Sequence, residues 1–145
     1  RSSDLVTING VKTLCTKSLG SYKETFFEWT AFPMAVDFKS TRIACGLLEG
    51  WHHTPTFNEI EYHEDAELFY FLEGPALMLF VDIKAGKAVM ESAQIVRIPA
   101  GTELSIDPGK GHFVAVAEGD TMKALVVAPV QDSPRITLDE TVCGE

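Results

Sequence analysis

Short apolar runs, in which hydrophobic and polar residues alternate, make up most of this chain. The alternation has a period of two, which is the period of a β-strand with one buried face. Glycine and proline stand between the runs, in EGP, KAG, PAG, DPGKG and EGD, where they favour tight turns. About ten short strands at this spacing predict an all-β, antiparallel sandwich or small barrel.

The first part of the chain departs from this pattern. The segment LGSYKETFFEWT, residues 19–30, is the one place where a helix of one or two turns would fit. We expect residues 1–30 to form an N-terminal arm that packs on the barrel or exchanges with a second copy. Residues 31–145 are expected to form the barrel itself. No internal repeat, low-complexity segment or linker divides the chain, so a single domain is predicted.

The composition excludes whole classes of protein. Of the 145 residues 46% are hydrophobic, as in globular proteins, and no apolar run is long enough to span a membrane. The net charge of −9 and the absence of a basic cluster argue against nucleic acid as a partner. Three cysteines without C-x-x-C spacing indicate free thiols in a reducing compartment. The start, RSSDLVTING, lacks an apolar signal region, so a cytoplasmic location is expected.

The residues with chemistry lie in the segment FNEIEYHEDAELFYFLEG, residues 57–74. Glu61, His63, Asp65 and Glu67 are all odd-numbered, so an extended strand would place them on one face. Unpaired carboxylates that face a core are costly, and a cation would offset that cost. We therefore predict that Glu61, His63 and Glu67 bind a divalent metal ion, provided that the strand curves or bulges at 64–66. Imidazole and carboxylate together suit Zn, Mn, Fe, Ni or Co. Asp65 is expected to be solvated or part of the bulge.

One strand cannot enclose a metal ion, so a further ligand must come from another part of the chain. His112 follows the turn DPGKG and is the best candidate, because barrel closure brings distant strands face to face. His52 and His53 are the reserve candidates, although only one of two adjacent residues can face inward on an extended chain. With Trp51 beside them, they fit a rim or an interface better than a metal site.

The spacing of these residues resembles the first motif of the cupin superfamily. That motif, G-x5-H-x-H-x3-4-E-x6-G, corresponds here to Glu61-x-His63-x3-Glu67-x6-Gly74. Glu61 stands where the first histidine is usual, and Pro55 stands where the leading glycine is usual. The resemblance implies a single-domain cupin-type antiparallel β-barrel, also called a jelly roll or double-stranded β-helix.

The second cupin motif, G-x5-P-x-G-x2-H-x3-N, is present only in part. PAG at 99–101 matches it, but Leu104 and Pro108 occupy the histidine and asparagine positions. Two of the four ligands of a standard cupin site are therefore absent from the positions where the motifs would place them.

A closer resemblance is to the ureidoglycolate lyases, which are cupin-like. They carry an E-x-H stretch before a strand that ends in glycine, and a later turn that delivers a histidine. NEIEYHEDAELFYFLEG and DPGKGHFVAV are similar to these two segments, and FNEIEYHEDAE also resembles the LNALEYHxxxE pattern of an uncharacterised cupin family. The resemblance implies functional roles for Glu61, His63, Glu67 and His112.

Two classes of function follow. In the first, the protein is a metal-dependent enzyme acting on a small polar metabolite: a hydroxy acid, a ureido acid or a sugar derivative. Lyase or isomerase chemistry fits best, with Glu61 or Glu67 as general base when it is not bound to the ion. In the second, the pocket binds a small ligand without catalysis, as a sensor or accessory module. A dioxygenase is disfavoured because few histidines converge.

Unpaired strand edges, including that of the segment SDLVTING, predict a homodimer.

Overall fold

A computed structural model describes residues 7–15, 21–30, 32 and 34–144 of the chain. Strands make up all of the regular structure in these residues. They are β1 (Val11–Cys15), β2 (Tyr22–Lys23), β3 (Glu28–Trp29), β4 (Ile43–Trp51), β5 (Thr56–Glu61), β6 (Glu67–Glu73), β7 (Ala76–Lys84), β8 (Lys87–Ile98), β9 (Thr102–Ile106), β10 (Gly111–His112), β11 (Val116–Ala117), β12 (Thr121–Pro129) and β13 (Arg135–Cys143).

Two antiparallel sheets pack face to face to form the barrel. The first sheet has the strand order β1-β9-β6-β12-β4. In the second sheet β7 lies between β8 and the short strands β10 and β11, while β5 joins β10 to β13. The predicted all-β antiparallel barrel is confirmed. Among the described residues there is no helix of the length and apolar character needed to cross a membrane.

The space between the sheets holds the main hydrophobic core. Alternate residues of the central strands fill it, and Phe71 and Phe80 are completely buried there. A second cluster, which includes Leu79, Val81 and Leu138, lies on the other face of the second sheet. Because β7 is covered on both faces, its sequence, ALMLFVDIK, is a continuous apolar run rather than an alternating one.

The helix that LGSYKETFFEWT could have held does not form in the residues of this segment that the structure describes. Residues 21–30 instead contain a hairpin in which β2 pairs with β3, with Tyr22 opposite Trp29. The N–H of Glu24 donates to the carbonyl of Phe27 at 2.9 Å and closes the turn. Aromatic residues favour strands, and opposed aromatic side chains stabilise a strand pair, which explains the difference.

The start of the chain contributes a strand to the first sheet. β1 pairs with β9 along its whole length, from Val11 opposite Ile106 to Cys15 opposite Thr102. Ile8 is buried beside it in the main core. Residues 1–6 and 16–20 lie outside the described part of the chain, and with them half of SDLVTING. The exchange of the arm with a second copy and the boundary at residue 30 therefore stay predictions.

The cysteines are free thiols, as the sequence indicated. Cys15 is half-buried, whereas Cys45 and Cys143 are exposed. The cytoplasmic location expected from them stays a prediction.

Gly111, which precedes His112 in β10, has no room for a side chain. A Cβ atom there would lie 2.7 Å from the carbonyl oxygen of Val81 and 2.9 Å from the side chain of Ile60. We expect Gly111→Ala to lower the free energy of unfolding by about 1–3 kcal/mol, the usual cost of overpacking. Urea denaturation measures this change. Gly119→Ala is the matched control, because no atom lies within 4 Å of its Cβ position. Equal losses in the two variants would contradict this packing argument.

Candidate functional site

Four side chains from separate parts of the chain meet inside the barrel. Glu61 ends β5 and Glu67 begins β6, while His63 lies in the connection between these strands. His112 ends β10, which pairs with β5 so that His112 stands opposite Glu61. The expectation that Glu61, His63 and Glu67 share one continuous strand is wrong. The chain leaves β5 after Glu61, bends at 64–65 and enters a different sheet at Glu67.

Glu67 lies at the centre of this group. Its Oε1 atom is 3.0 Å from Nε2 of His63 and 3.0 Å from Nε2 of His112. Nε2 of His112 is 3.9 Å from Oε1 of Glu61. Both imidazoles are buried, with 6% of His63 and 2% of His112 exposed. The structure thus brings together all four residues that the sequence singled out, which we call the Glu–His cluster.

Backbone carbonyls orient both imidazoles. Nδ1 of His63 lies 3.0 Å from the carbonyl oxygen of Asp132, and Nδ1 of His112 lies 2.9 Å from that of Lys110. A carbonyl only accepts hydrogen bonds, so each Nδ1 carries the hydrogen and donates it. In a neutral imidazole Nε2 then has a lone pair and no hydrogen. Both Nε2 atoms point at Oε1 of Glu67, which is also an acceptor.

The cluster therefore contains three buried acceptor atoms that face one another. Nε2 of His63, Nε2 of His112 and Oε1 of Glu67 are without a hydrogen-bond partner among the described residues. Buried polar atoms of this kind are rare unless a proton or a cation lies between them.

Protonation of the histidines is one way to satisfy these atoms. Burial disfavours the charged form of His63. The hydrogen bond that a protonated His63 gives to Glu67, its hydrogen bond to the Asp132 carbonyl, and the negative charges of Glu67 and Glu61 outweigh this effect and raise the pKa of His63. Burial opposes the charged form of Glu67 as well, yet interactions with His112 and His63 lower the pKa of Glu67 to about 2. The carboxylate of Glu67 is therefore charged throughout the neutral range.

A bound divalent cation is the other way to satisfy these three atoms, and the ligand atoms of the cluster suit such an ion. The ligand atoms of Glu61, His63 and His112 all lie within 4.8 Å of one another. Two ligand atoms that lie at right angles around an ion, each about 2.1 Å from it, are about 3.0 Å apart. The distance from Oε1 of Glu67 to Nε2 of each imidazole is also 3.0 Å. Donation from Nδ1 to a carbonyl is also how most metal-binding histidines are held.

No protein-family model and no curated protein matches this chain. Solved structures do share its architecture. NovW, a 4-keto-6-deoxy sugar epimerase from Streptomyces spheroides, superposes with a TM-score of 0.58 at 13% identity, over 91% of this chain and 70% of that chain. The 3,4-ketoisomerase QdtA of Thermoanaerobacterium thermosaccharolyticum, in complex with TDP, has a TM-score of 0.51 at 11% identity, over 87% and 85% of the two chains. The chain has the cupin-type jelly-roll fold.

A third similar structure is RmlC from Streptococcus suis, in complex with dTDP-D-xylose. It has a TM-score of 0.50 at 12% identity, over 83% of this chain. The chain spans 64% of the length of RmlC, so part of that protein has no counterpart in this cupin-type barrel.

The cluster opens into a small cavity of the cupin-type barrel. Its volume is about 150 Å³, and Glu61, Glu67 and His112 form its polar side. The remaining wall is apolar and consists of Leu48, Phe69, Met78, Phe113, Val114, Ala115 and Val126. A few polar groups in an apolar cleft are typical of small-molecule sites.

The reserve histidines are not part of the cluster. Nδ1 of His52 is 2.9 Å from the carbonyl of Glu118 and 3.2 Å from that of Gly119, and His53 is exposed. Neither contributes a side chain to the cavity wall.

Asp65 is buried and lies in the bend at 64–65, so of its two expected places the solvated one is wrong. Its carboxylate accepts hydrogen bonds from the backbone N–H groups of Lys39, Ser40 and Ala66, at distances from 2.8 to 3.1 Å. Burial alone would raise the pKa of Asp65, but these three N–H groups lower it. Asp65 thereby fastens the connection between β5 and β6, which carries His63, to the segment that precedes β4.

Removal of the Glu67 charge should change how stability depends on pH. A carboxylate with a lowered pKa stabilises the fold above its unfolded-state pKa, and this contribution is lost as the pH falls toward about 2. We expect metal-free wild type to lose melting temperature between about pH 5 and pH 2 more steeply than Glu67→Gln. Glu59→Gln, on the same strand as Glu61 but paired with Arg135, should retain the wild-type slope. Identical slopes for Glu67→Gln and wild type would exclude the ion pairing described here.

Proposed function

We propose that this protein is a metal-dependent isomerase that acts on a small sugar derivative at the Glu–His cluster. The observation that carries the proposal is the meeting of three buried acceptor atoms, from His63, His112 and Glu67, at the polar side of an apolar cavity whose wall includes Glu67 and His112. The names of the similar structures, two sugar epimerases or ketoisomerases among them, support isomerase chemistry and a sugar substrate.

His63, His112 and Glu67 would hold a divalent ion such as Zn, Mn, Ni, Co or Fe. Their Nε2 and Oε1 atoms converge. Backbone carbonyls and burial fix the orientation of the two imidazoles. When bound, such an ion polarises a carbonyl or hydroxyl oxygen of the substrate and so acidifies the neighbouring C–H bond.

Glu61 is the better placed of the two carboxylates to move a proton. Glu67 lies against both imidazoles, and its pKa of about 2 makes it a weak base. Glu61 is 3.9 Å from His112, makes no closer ionic contact among the described residues and faces the cavity. As general base it would take a proton from a hydroxyl-bearing carbon beside a carbonyl group and return it on the same face to the former carbonyl carbon. The hydroxyl proton moves to the former carbonyl oxygen, so the carbonyl group shifts by one position. That reaction requires no redox cofactor.

The cavity limits what reaches the cluster. A volume of about 150 Å³ holds roughly five water molecules at about 30 Å³ each, which is enough for one small ring or a short chain. A larger substrate would leave the rest of its structure outside the barrel.

The ureidoglycolate lyase resemblance stays a prediction, and we favour isomerase chemistry because the similar structures named above include isomerases.

A non-catalytic ligand-binding protein is the second candidate. It is favoured by the raised pKa of His63, because a protonated His63 would donate a hydrogen bond to Glu67 without any metal ion. The pocket would then recognise hydroxyl or carbonyl groups of a small molecule directly.

Metal binding can be tested through thermal stability. A ligand that binds only the native state stabilises it by RT ln(1 + [L]/Kd), so a chelator should lower the melting temperature of metal-loaded wild type. His63→Ala should lose most of this response and His112→Ala a large part of it, since each removes a ligand. His53→Ala, which changes an exposed histidine outside the cluster, should respond like wild type. A wild-type melting curve that neither chelator nor added metal shifts would exclude the metal.

Proton transfer can be tested by hydrogen exchange. We expect wild type with added metal to exchange a substrate C–H proton for solvent deuterium in a panel of keto sugars and keto-sugar nucleotides, observed by NMR. Glu61→Gln should reduce this exchange by at least about 100-fold, the usual contribution of a general base, with unchanged metal content. Glu59→Gln, which removes a carboxylate paired with Arg135 on the same strand, should exchange normally. Binding of these sugars without exchange would favour the second candidate.

A further inference from the structure

Strand β4 forms one edge of the first sheet. All nine of its residues pair with β12, from Ile43 opposite Pro129 to Trp51 opposite Thr121. Among the strands that the structure describes, none pairs with its other side. Residues 43–47 are exposed on both faces, and no atom lies within 4 Å of the Cβ position of Gly46. A row of backbone N–H and C=O groups about 30 Å long is therefore open to another strand.

The side chains of this edge are apolar and regularly spaced. Ile43, Leu47 and Trp51 point to the same outer face and are 43%, 54% and 73% exposed. Leu125 of β12, directly opposite Leu47, is also exposed and widens the apolar surface. Exposed edges in monomeric proteins usually carry proline, a bulge or several charges. Between Ile43 and Trp51 the only charged residue is Glu49, which is 3.8 Å from Lys123 of β12.

We propose that β4 pairs antiparallel with β4 of a second copy of this chain, so that two first sheets join into one continuous ten-stranded sheet. The count follows from the five strands of each first sheet. A two-fold axis pairs a strand with its own copy in antiparallel orientation, which requires a sequence that is complementary to itself. The β4 sequence meets this requirement, because its exposed apolar residues are placed symmetrically about Leu47.

This symmetry fixes the register of the pairing. With the axis at Leu47, Leu47 lies opposite the partner's Leu47, and Ile43 lies opposite the partner's Trp51. Glu49 lies opposite the partner's Cys45, so no two like charges face each other. Ile43, Leu47 and Trp51 thereby each gain a large apolar cross-strand neighbour, the kind of pair that stabilises sheets.

The pairing also bears on the cavity. Leu48 points to the inner face of β4 and forms part of the cavity wall beside Val126. A partner strand hydrogen-bonded to the free side of β4 would hold this wall in place. The dimer itself does not depend on the chemistry proposed for the Glu–His cluster.

The oligomeric state of variants tests whether the β4 edge forms the dimer interface. We expect wild type to be a dimer by light scattering at micromolar concentration and Leu47→Lys to be a monomer, because two lysines would face each other at the axis. Leu47 is more than half exposed, so the melting temperature measured at low protein concentration should change little. Phe26→Lys, in the β2–β3 hairpin and 85% exposed, is the control and should remain dimeric. A monomeric wild type, or a dimer that Phe26→Lys disrupts and Leu47→Lys does not, would overturn the proposal.

Disulfide trapping tests the register independently of stability. In a chain with serine at the three native cysteine positions, Leu47→Cys should form an intermolecular disulfide under mild oxidation. Directly opposed residues of antiparallel strands have Cα atoms about 4.5–5.5 Å apart, within the range that a disulfide spans. Ile43→Cys is the matched control. In the proposed register residue 43 of the second copy would lie eight residues further along the strand, about 27 Å away. Equal crosslinking of the two variants, or none of Leu47→Cys in a dimeric protein, would refute this register.

Discussion

The rest of the site depends on one constraint: the carboxylate of Glu67 lies between two imidazoles. When these imidazoles are neutral, they cannot donate a hydrogen bond to it. Each imidazole uses its one hydrogen on a backbone carbonyl, that of Asp132 for His63 and that of Lys110 for His112. The fold thereby fixes the tautomers before any ligand arrives. Only a proton on Nε2 or a shared cation makes the three acceptors compatible, and both bring positive charge into an apolar cavity.

Barrel closure produces this arrangement. β5 and β6 belong to different sheets, and the short connection between them carries the chain from one sheet to the other. β10 then brings His112 alongside Glu61 from 51 residues further along the chain. Gly111 allows β10 to approach β7 closely, since any side chain there would meet the Val81 carbonyl. Backbone packing, rather than loop length, therefore sets the distances within the cluster.

The sequence predicted the fold class and the four residues of the cluster, because burial patterns and unusual buried charges leave a local signal. The two-residue period of hydrophobic and polar residues identified most of the strands. His112 was predicted as part of the site because it lies between a turn and an apolar run. The pairing of strands was not predictable: Glu61 and Glu67 looked like one strand face, yet they lie in two sheets. The carbonyls that orient the histidines also escaped prediction, since every residue has a carbonyl and only tertiary structure selects two of them.

Asp65 and Glu67 show why a buried carboxylate is not by itself a functional signal. Asp65 accepts hydrogen bonds from three backbone N–H groups, so its charge is satisfied by the fold and it acts as a structural clamp. Oε1 of Glu67 receives no hydrogen bond from the backbone and faces acceptors instead. A fold gains nothing in stability from that second arrangement without a proton or an ion. Unsatisfied polar atoms therefore locate the functional site here, two residues away from a satisfied carboxylate that the sequence alone does not distinguish from it.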